Sequence, residues 1–309
     1  MRIVVVGLGV QGTKRLAVAG SDVVATVDPL RSEARFKTLE EVPEDSYDAA
    51  LLCVPDDAKL ACLEFLLGRG KHVLVEKPLV GGDSAGLERI AQLSRDRGAV
   101  CYTAYNHRFE PHFRRMAELI RSGELGELYH LRMFYGNGTA RDVRDSAWRD
   151  EGSGVLRDLG SHLLDTVEFW LGRPRGRFRV RDAHRFENRA FDHLTLACEG
   201  PPAIELEMSL VCWRNHFTAD LYAEKGSAHI DSLCKWGPSR FTVRERVLPS
   251  GRPPEQSTTL IQADPTWAEE YAHWKVLCER GEIGDFETER WLESTLGELG
   301  AEAQRGATR

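Results

Sequence analysis

The chain has 309 residues, more than one domain usually holds, so two domains with separate cores are expected. Its hydrophobic and charged fractions, 42% and 29%, are those of an ordinary folded protein, and a formal charge of -7 excludes a general nucleic-acid binder, which needs a basic surface. No segment approaches the roughly 20 apolar residues of a membrane helix. The seven cysteines are scattered and never spaced C-x-x-C, which implies reduced thiols in a cytoplasmic protein and neither a metal site nor a disulfide frame.

The opening MRIVVVGLG is apolar like a signal peptide, but glycines interrupt it and no small-residue cleavage site follows, so it reads as a strand. Residues 3–6, 23–27, 49–54, 72–75 and 99–103 are short, Val-rich runs of nearly unbroken hydrophobicity, as expected of strands covered on both faces. Between them, 57–67 and 83–97 have helical length and one apolar face. This alternation predicts a Rossmann-type doubly wound parallel sheet over residues 1–107.

From 108 to 309 the pattern changes. A helix over 111–121 leads to an alternating run at 129–135 and a polar, glycine-containing loop at 136–154. One strong helix over 155–171 stops at Gly172 and Pro174. Alternating runs near 177–181, 192–198, 203–213, 216–223 and 241–247 follow, then a proline-rich loop at 249–257 and two closing helices. An α+β domain with an open, largely antiparallel sheet is expected there.

Gly7-Leu8-Gly9-Val10-Gln11-Gly12 follows the first strand and opens the first helix, the context in which G-x-G-x-x-G binds a dinucleotide. Its glycines allow the tight turn, the approach to the pyrophosphate and helix–strand packing, while the helix N-terminus offers partial positive charge. Asp28 ends the second strand about 20 residues further on, where an acid accepts bonds from ribose hydroxyls. A turn role before Pro29 is the alternative. A carboxylate there repels a 2′-phosphate, so NAD is expected over NADP, with Arg31 close enough to soften the preference.

Glu76-Lys77-Pro78 ends the fourth strand, and ligands bind outside the carboxyl ends of an open parallel sheet. Lys77 taken alone also fits a solvated loop lysine. Asp158 and His162 stand at i, i+4 on one face of the strong helix, with Gly160 between them where something must come close. Taken alone, that pair fits a surface ion pair.

Together these residues resemble the Gfo/Idh/MocA oxidoreductases, the group of glucose-fructose oxidoreductase and inositol dehydrogenase. GLGVQG, VEKPL, NHRFEP and GSGVLRDLGSHLLDTVEFWLG carry the resemblance over most of the chain. It implies a nucleotide-binding domain followed by an α/β domain whose open sheet serves oligomer contacts. Trp213, Phe217 and Tyr222 on that sheet fit a homodimer or homotetramer.

The resemblance also implies Lys77, Asp158 and His162 as the catalytic set. Imidazole suits giving and taking protons near neutrality, an ammonium can hold the substrate oxygen, and the aspartate can orient both. Which of Lys77 and His162 takes the proton stays open. By family position Cys53, Val54, Pro55 and Glu76 lie beside the cofactor, Asn106 lies near the nicotinamide ribose or substrate, and Trp148 can stack on nicotinamide or a sugar face. Arg108, Asn137 and Arg149 are expected at the substrate with the catalytic set. Arg141, Arg144 and Arg149 would grip an anionic group if they converge. Lys59 stands where the family has a histidine, and His107 and His112 read as surface or capping residues.

The implied function is an NAD-dependent dehydrogenase acting on a CH–OH group of a sugar, cyclitol or nucleotide-linked sugar, with no metal, nucleic-acid or membrane partner. An NAD-bound sensor and an NAD-using glycosidase are the alternatives.

Overall fold

The computed structural model describes residues 1–79, 83–146 and 149–306, so Trp148 lies outside the described residues. Strands β1 (Ile3–Val6), β2 (Val23–Val27), β3 (Ala49–Leu52), β4 (His72–Glu76) and β5 (Cys101–Ala104) alternate with helices α1 (Val10–Ala19), α2 (Asp56–Gly68) and α3 (Ser84–Arg97). The strands pair in the order β2-β1-β3-β4-β5, all parallel. Every residue of β1 and β3 is buried, which is why their sequence shows no alternation. The strand order reverses beside β1, and Gly7, Asp28, Cys53 and Glu76 all lie at the carboxyl ends of their strands. That is where doubly wound sheets bind ligands.

The chain continues through α4 (Pro111–Ser122), β6 (Leu128–Gly136), the short α5 (Ala140–Arg144) and α6 (Ser161–Leu171). Strands β7 (Phe178–His184), β8 (His193–Cys198), β9 (Ala203–Ser209), β10 (His216–Ala223), β11 (Gly226–Asp231), β12 (Ser239–Glu245) and β13 (Glu255–Leu260) follow, before α7 (Thr266–Arg280) and α8 (Phe286–Gly306). Among the described residues, eight strands form a second sheet in the order β13-β12-β11-β10-β6-β9-β8-β7, antiparallel except where β6 runs parallel to β9. Burial alternates along β8 and β10, so one face of the sheet meets the core. On that face Phe217 packs on Phe113 of α4, whose ring also meets Trp170 of α6. Phe217 is thus a core residue and offers nothing to an outer surface, whereas Trp213 and Tyr222 are exposed.

Several elements differ from expectation, and the short α5 lies within the stretch 136–154 expected as a loop. Strands β11 and β13 carry little apolar alternation, and β13, reading Glu-Gln-Ser-Thr-Thr-Leu, is an edge strand defined by its pairing with β12. The expected continuous helix over 155–171 begins instead with a π-helical turn, Leu156–Gly160, leading into α6. A Cβ on Gly160 would stand 2.8 Å from the Met208 sulfur of β9, so this turn lies directly on the sheet.

The chain divides into two compact units, Met1–Asn106 with Pro265–Ser294, and His107–Asp264 with the residues from Thr295 onward. A single break at residue 107 therefore misses a return of the chain, because α7 and the start of α8 belong to the first unit. Their docking is apolar and polar together. Trp274 is fully buried among Ile3, Leu51, Leu74 and Val100, and Asp22 accepts hydrogen bonds from Tyr271 Oη at 2.7 Å and Lys275 Nζ at 3.0 Å. Trp274→Ala should therefore cost about 3 to 5 kcal/mol in denaturant unfolding, and a loss below about 1 kcal/mol would show that α7 is not part of this core.

Candidate active site

In the first unit, β1 turns into α1 through the glycine motif. Gly7 has φ +86°, and a Cβ there would meet the Cys53 carbonyl oxygen at 2.5 Å. A Cβ on Gly12 would stand 1.7 Å from the Gly7 carbonyl oxygen, whereas nothing lies within 4 Å of one on Gly9. The outer glycines thus lock helix to strand, and the middle one opens onto free space beside exposed Val10 and Gln11. The first turn of α1 carries no acid, so its N-terminus suits an anion. These features fit the pyrophosphate of a dinucleotide.

Asp28 is buried, and its carboxylate binds the loop around it. It accepts hydrogen bonds from the backbone N–H groups of Leu8 at 2.7 Å, Leu30 at 2.8 Å and Arg31 at 3.0 Å. Burial would raise its pKa, but the three amide donors outweigh that and hold it below the usual carboxylate range. The turn role and an acid at the end of β2 therefore coexist in one residue. Around it, the Cys53 N–H donates to Val6, Val54 packs against the core and Pro55 caps α2. Asn106 Nδ2 donates to Thr266 Oγ1 at 2.8 Å, which ties the end of β5 to α7.

Glu76 and Lys77 are half-buried at the end of β4. Glu76 accepts a hydrogen bond from Arg15 Nε at 2.8 Å, and Arg15 Nη2 reaches Glu270 of α7 at 2.7 Å. The guanidinium is buried and lies over the Trp267 ring, 4.3 Å from its centroid. Burial alone would lower its hold on the proton, and Glu270 and Glu76 more than offset this. Lys59, on the buried side of α2, donates to the Pro78 carbonyl at 2.7 Å and pairs with Asp56 at 2.7 Å. Arg15 was missed from sequence and Lys59 was noted only as standing where the family has a histidine, although the spacing of both held a signal. Arg15 shares a helix face with Gly12 and Ala19, and Lys59 shares one with Leu63 and Leu66, so each places a cation on a core stripe.

In the second unit, the π-helical turn and α6 carry Asp158 and His162. His162 is buried, and its ring stacks on that of His107 with centroids 4.1 Å apart. Tyr135 of β6 adjoins both members of the pair. Its ring lies 6.1 Å from that of His162, and burial and then the Asp158 charge push its phenol up. Asp158 is paired with Arg149 Nη2 at 3.3 Å. His107 is buried, with Lys235 Nζ 3.4 Å from its Nε2, and His112 is buried against the Ser239 carbonyl. Both histidines are thus interior residues, contrary to the surface reading, because α4 and the segment before it form the inner layer under the sheet.

The loop cations are dispersed. Arg108 binds Asp165 with two nitrogens, at 2.6 and 3.0 Å, and Glu168 at 2.9 Å. Arg144 pairs with Glu187 at 3.5 Å and Arg149 with Asp158, so these two loop arginines are held by different carboxylates. The Asn137 side-chain oxygen accepts from the N–H and hydroxyl of Thr139, which closes its own turn.

A glycine-cradled helix N-terminus in one unit and a buried histidine beside an aspartate in the other define a dinucleotide-binding α/β protein with a second, α+β unit. Residues 1–105 match the model described as oxidoreductase family, NAD-binding Rossmann fold, and residues 113–229 match the GFO/IDH/MocA C-terminal domain. The chain belongs to the Gfo/Idh/MocA oxidoreductase family.

It is 27% identical to scyllo-inositol 2-dehydrogenase (NADP(+)) IolW of Bacillus subtilis over a stretch covering 51% of this chain and 45% of that one. The matched stretches span less than half of the first curated relatives' lengths. In structure it resembles UDP-N-acetylglucosamine 3-dehydrogenase GnnA of Acidithiobacillus ferrooxidans, with TM-score 0.82 and 16% identity over 100% of this chain and 99% of that one. It also resembles an inositol dehydrogenase homologue of Azotobacter vinelandii complexed with NADH and myo-inositol, with TM-score 0.81 and 17% identity over 99% and 96% of the two chains. At these identities the likeness is one of fold.

Arg15 bridges the buried carboxylate of Glu270 and the half-buried one of Glu76, so Arg15→Met should cost about 3 to 5 kcal/mol in denaturant unfolding, with part recovered on adding Glu270→Gln. Equal stability of Arg15→Met and the parent would show that the pairing contributes nothing.

Proposed function

We propose that the protein is an NAD-dependent dehydrogenase acting on a secondary alcohol of a sugar, cyclitol or nucleotide-linked sugar. The observation that carries this reading is the glycine cradle, closed on both sides and open only at Gly9, with Asp28 at the end of the neighbouring strand. Gly7, Gly9, Val10, Gln11 and Gly12 would hold the pyrophosphate, and Asp28, Cys53, Val54, Pro55, Glu76 and Asn106 would line the rest of the cofactor. When bound, nicotinamide supplies the hydride acceptor. The negative charge of Asp28 favours NAD by repelling a 2′-phosphate, even though the Bacillus relative is named for NADP.

The chain's own residues supply the proton chemistry. Lys77 donates a charge-assisted hydrogen bond to the reacting oxygen and stabilises negative charge developing there. The hydroxyl proton goes to His162 where Lys77 is an ammonium, or to Lys77 where that amine is neutral, and Asp158 orients the site. Arg149 acts through its pairing with Asp158. Names of relatives that act on inositol and on a nucleotide sugar support this substrate class. We also assign a homodimer or homotetramer to the outer face of the eight-stranded sheet, where Tyr222 is exposed.

The test is NADH formation across free sugars, inositols and nucleotide sugars. Turnover should fall at least about 100-fold in Lys77→Ala and His162→Ala with NAD binding retained. Full activity in either variant would remove that residue from the site. NAD binding without reduction of NAD on any substrate would favour a sensor, and release of a leaving group without net NADH a glycosidase. Tight NADPH binding equal to that of NADH would overturn the role given to Asp28.

A further inference from the structure

We propose that Lys59 is a positioning residue for Lys77, a strap that holds the corner after β4 to helix α2. The inference rests on the dehydrogenase reading above and adds a residue to it.

Lys59 is 2% exposed, an unusual place for a lysine, since burying an ammonium is costly and the residue type is almost always at the surface. It stands on the stripe of α2 that also carries Leu63, Leu66 and Leu67, where an apolar side chain would fill the same core. Burial lowers its pKa, while Asp56 and, less strongly, Glu76 pull in the other direction, so the ammonium leans on neighbouring carboxylates. Exchanging a buried ion for an apolar residue of similar size is often neutral for stability or better. Core stability therefore does not account for a lysine here.

What the ammonium does is specific. One donor goes to Asp56 in the first turn of its own helix, at 2.7 Å, and another to the carbonyl of Pro78, at 2.7 Å. Pro78 is the residue after Lys77, and it has no N–H of its own with which to be held in a ladder. The Pro78 carbonyl is thus a handle on the backbone that presents Lys77. The other charged or titratable groups within electrostatic reach of Lys59 are Glu76 and Lys77 from the end of β4 and Cys53 from the end of β3. The strap thus sits beside the ends of two strands of the cofactor-binding unit, β3 and β4. A donor of this length reaches from the helix core to the corner, which a shorter polar side chain on α2 cannot do. The side chains are then joined in the order Asp56, Lys59, Pro78 carbonyl, with Lys77 one peptide away.

The experiment compares the parent protein, Lys59→Met and Lys59→Arg. Lys59→Met removes both bonds and keeps the length of the stem. Its kcat should fall about 10- to 100-fold, the scale set by misplacement of a catalytic group by about 1 Å. The NAD dissociation constant, read by quenching of intrinsic fluorescence, should stay within about 2-fold, and the thermal midpoint within about 4 °C of the parent. Amide exchange in a peptide spanning Glu76 to Leu79 should speed up. Lys59→Arg, which keeps charge and donors, should restore part of kcat and slow the exchange again.

Unchanged kcat and exchange in Lys59→Met would overturn the proposal. So would a fall in kcat matched by an equal loss of NAD binding or of stability, because that is the mark of a structural residue. A parent protein that reduces no NAD on any substrate would fail the dehydrogenase reading alone, and the exchange rates would still decide the strap.

Discussion

The guanidinium of Arg15 is the interaction on which the first unit turns. It lies one helical turn beyond the last glycine of the nucleotide motif and bonds both Glu76, at the end of β4, and Glu270, far along the chain in α7. A planar fork of five donors can serve two carboxylates at fixed angles while its face lies on Trp267, which a lysine cannot do. One side chain thus fixes the start of α1, the strand end that carries Lys77 and the helix that returns after the second sheet. Glu270 and Arg15 are both wholly buried, so neither can leave the arrangement without stranding the other in a medium that does not solvate it.

The parallel sheet was legible from sequence because its strands are buried on both faces and therefore continuously apolar, and because the glycine motif requires its own geometry. Gly7 and Gly12 would each drive a Cβ into backbone, so their spacing reports structure directly. The return of α7 was not legible. Tyr271, Trp274 and Lys275 look like the face of any amphipathic helix, and only tertiary contact shows that they meet Asp22 and the underside of the sheet. Polar β13 was hidden for the converse reason, since an edge strand is defined by its neighbour more than by its own pattern.

At the site, residue types were easier to read than their partners. Asp28 was placed correctly at the end of β2, yet three backbone donors cannot be seen in a sequence, and they make the same acid a fastening for the loop. Arg108 and Asn137 show the same limit. A cation or an amide in a pocket motif says nothing about whether a neighbour already holds it, and here Asp165, Glu168 and Thr139 do. His107 was read as a surface or capping residue because one histidine in a short helical turn has no period to reveal its face, and only the fold lays it against His162.

The buried charges also follow an order that bears on how the cofactor-binding unit tolerates them. From α7 through α1 and β4 to α2, the groups read Glu270, Arg15, Glu76, Lys59 and Asp56, alternating in sign. Each interior ion faces an opposite charge on one side at least, so the desolvation cost of each is offset locally. The first of these groups is fully buried, and the last is partly open to solvent through Asp56. An apolar core could be made from the same helices and strands with less expense. What it could not do is hold the glycine turn, the Lys77 corner and the returning helix by bonds of fixed direction, because dispersion and hydrophobic contact are non-directional. On the proposed reading, a cofactor cradle and a lysine kept in register to within about half an ångström need such directional bonds, and the charged row supplies them.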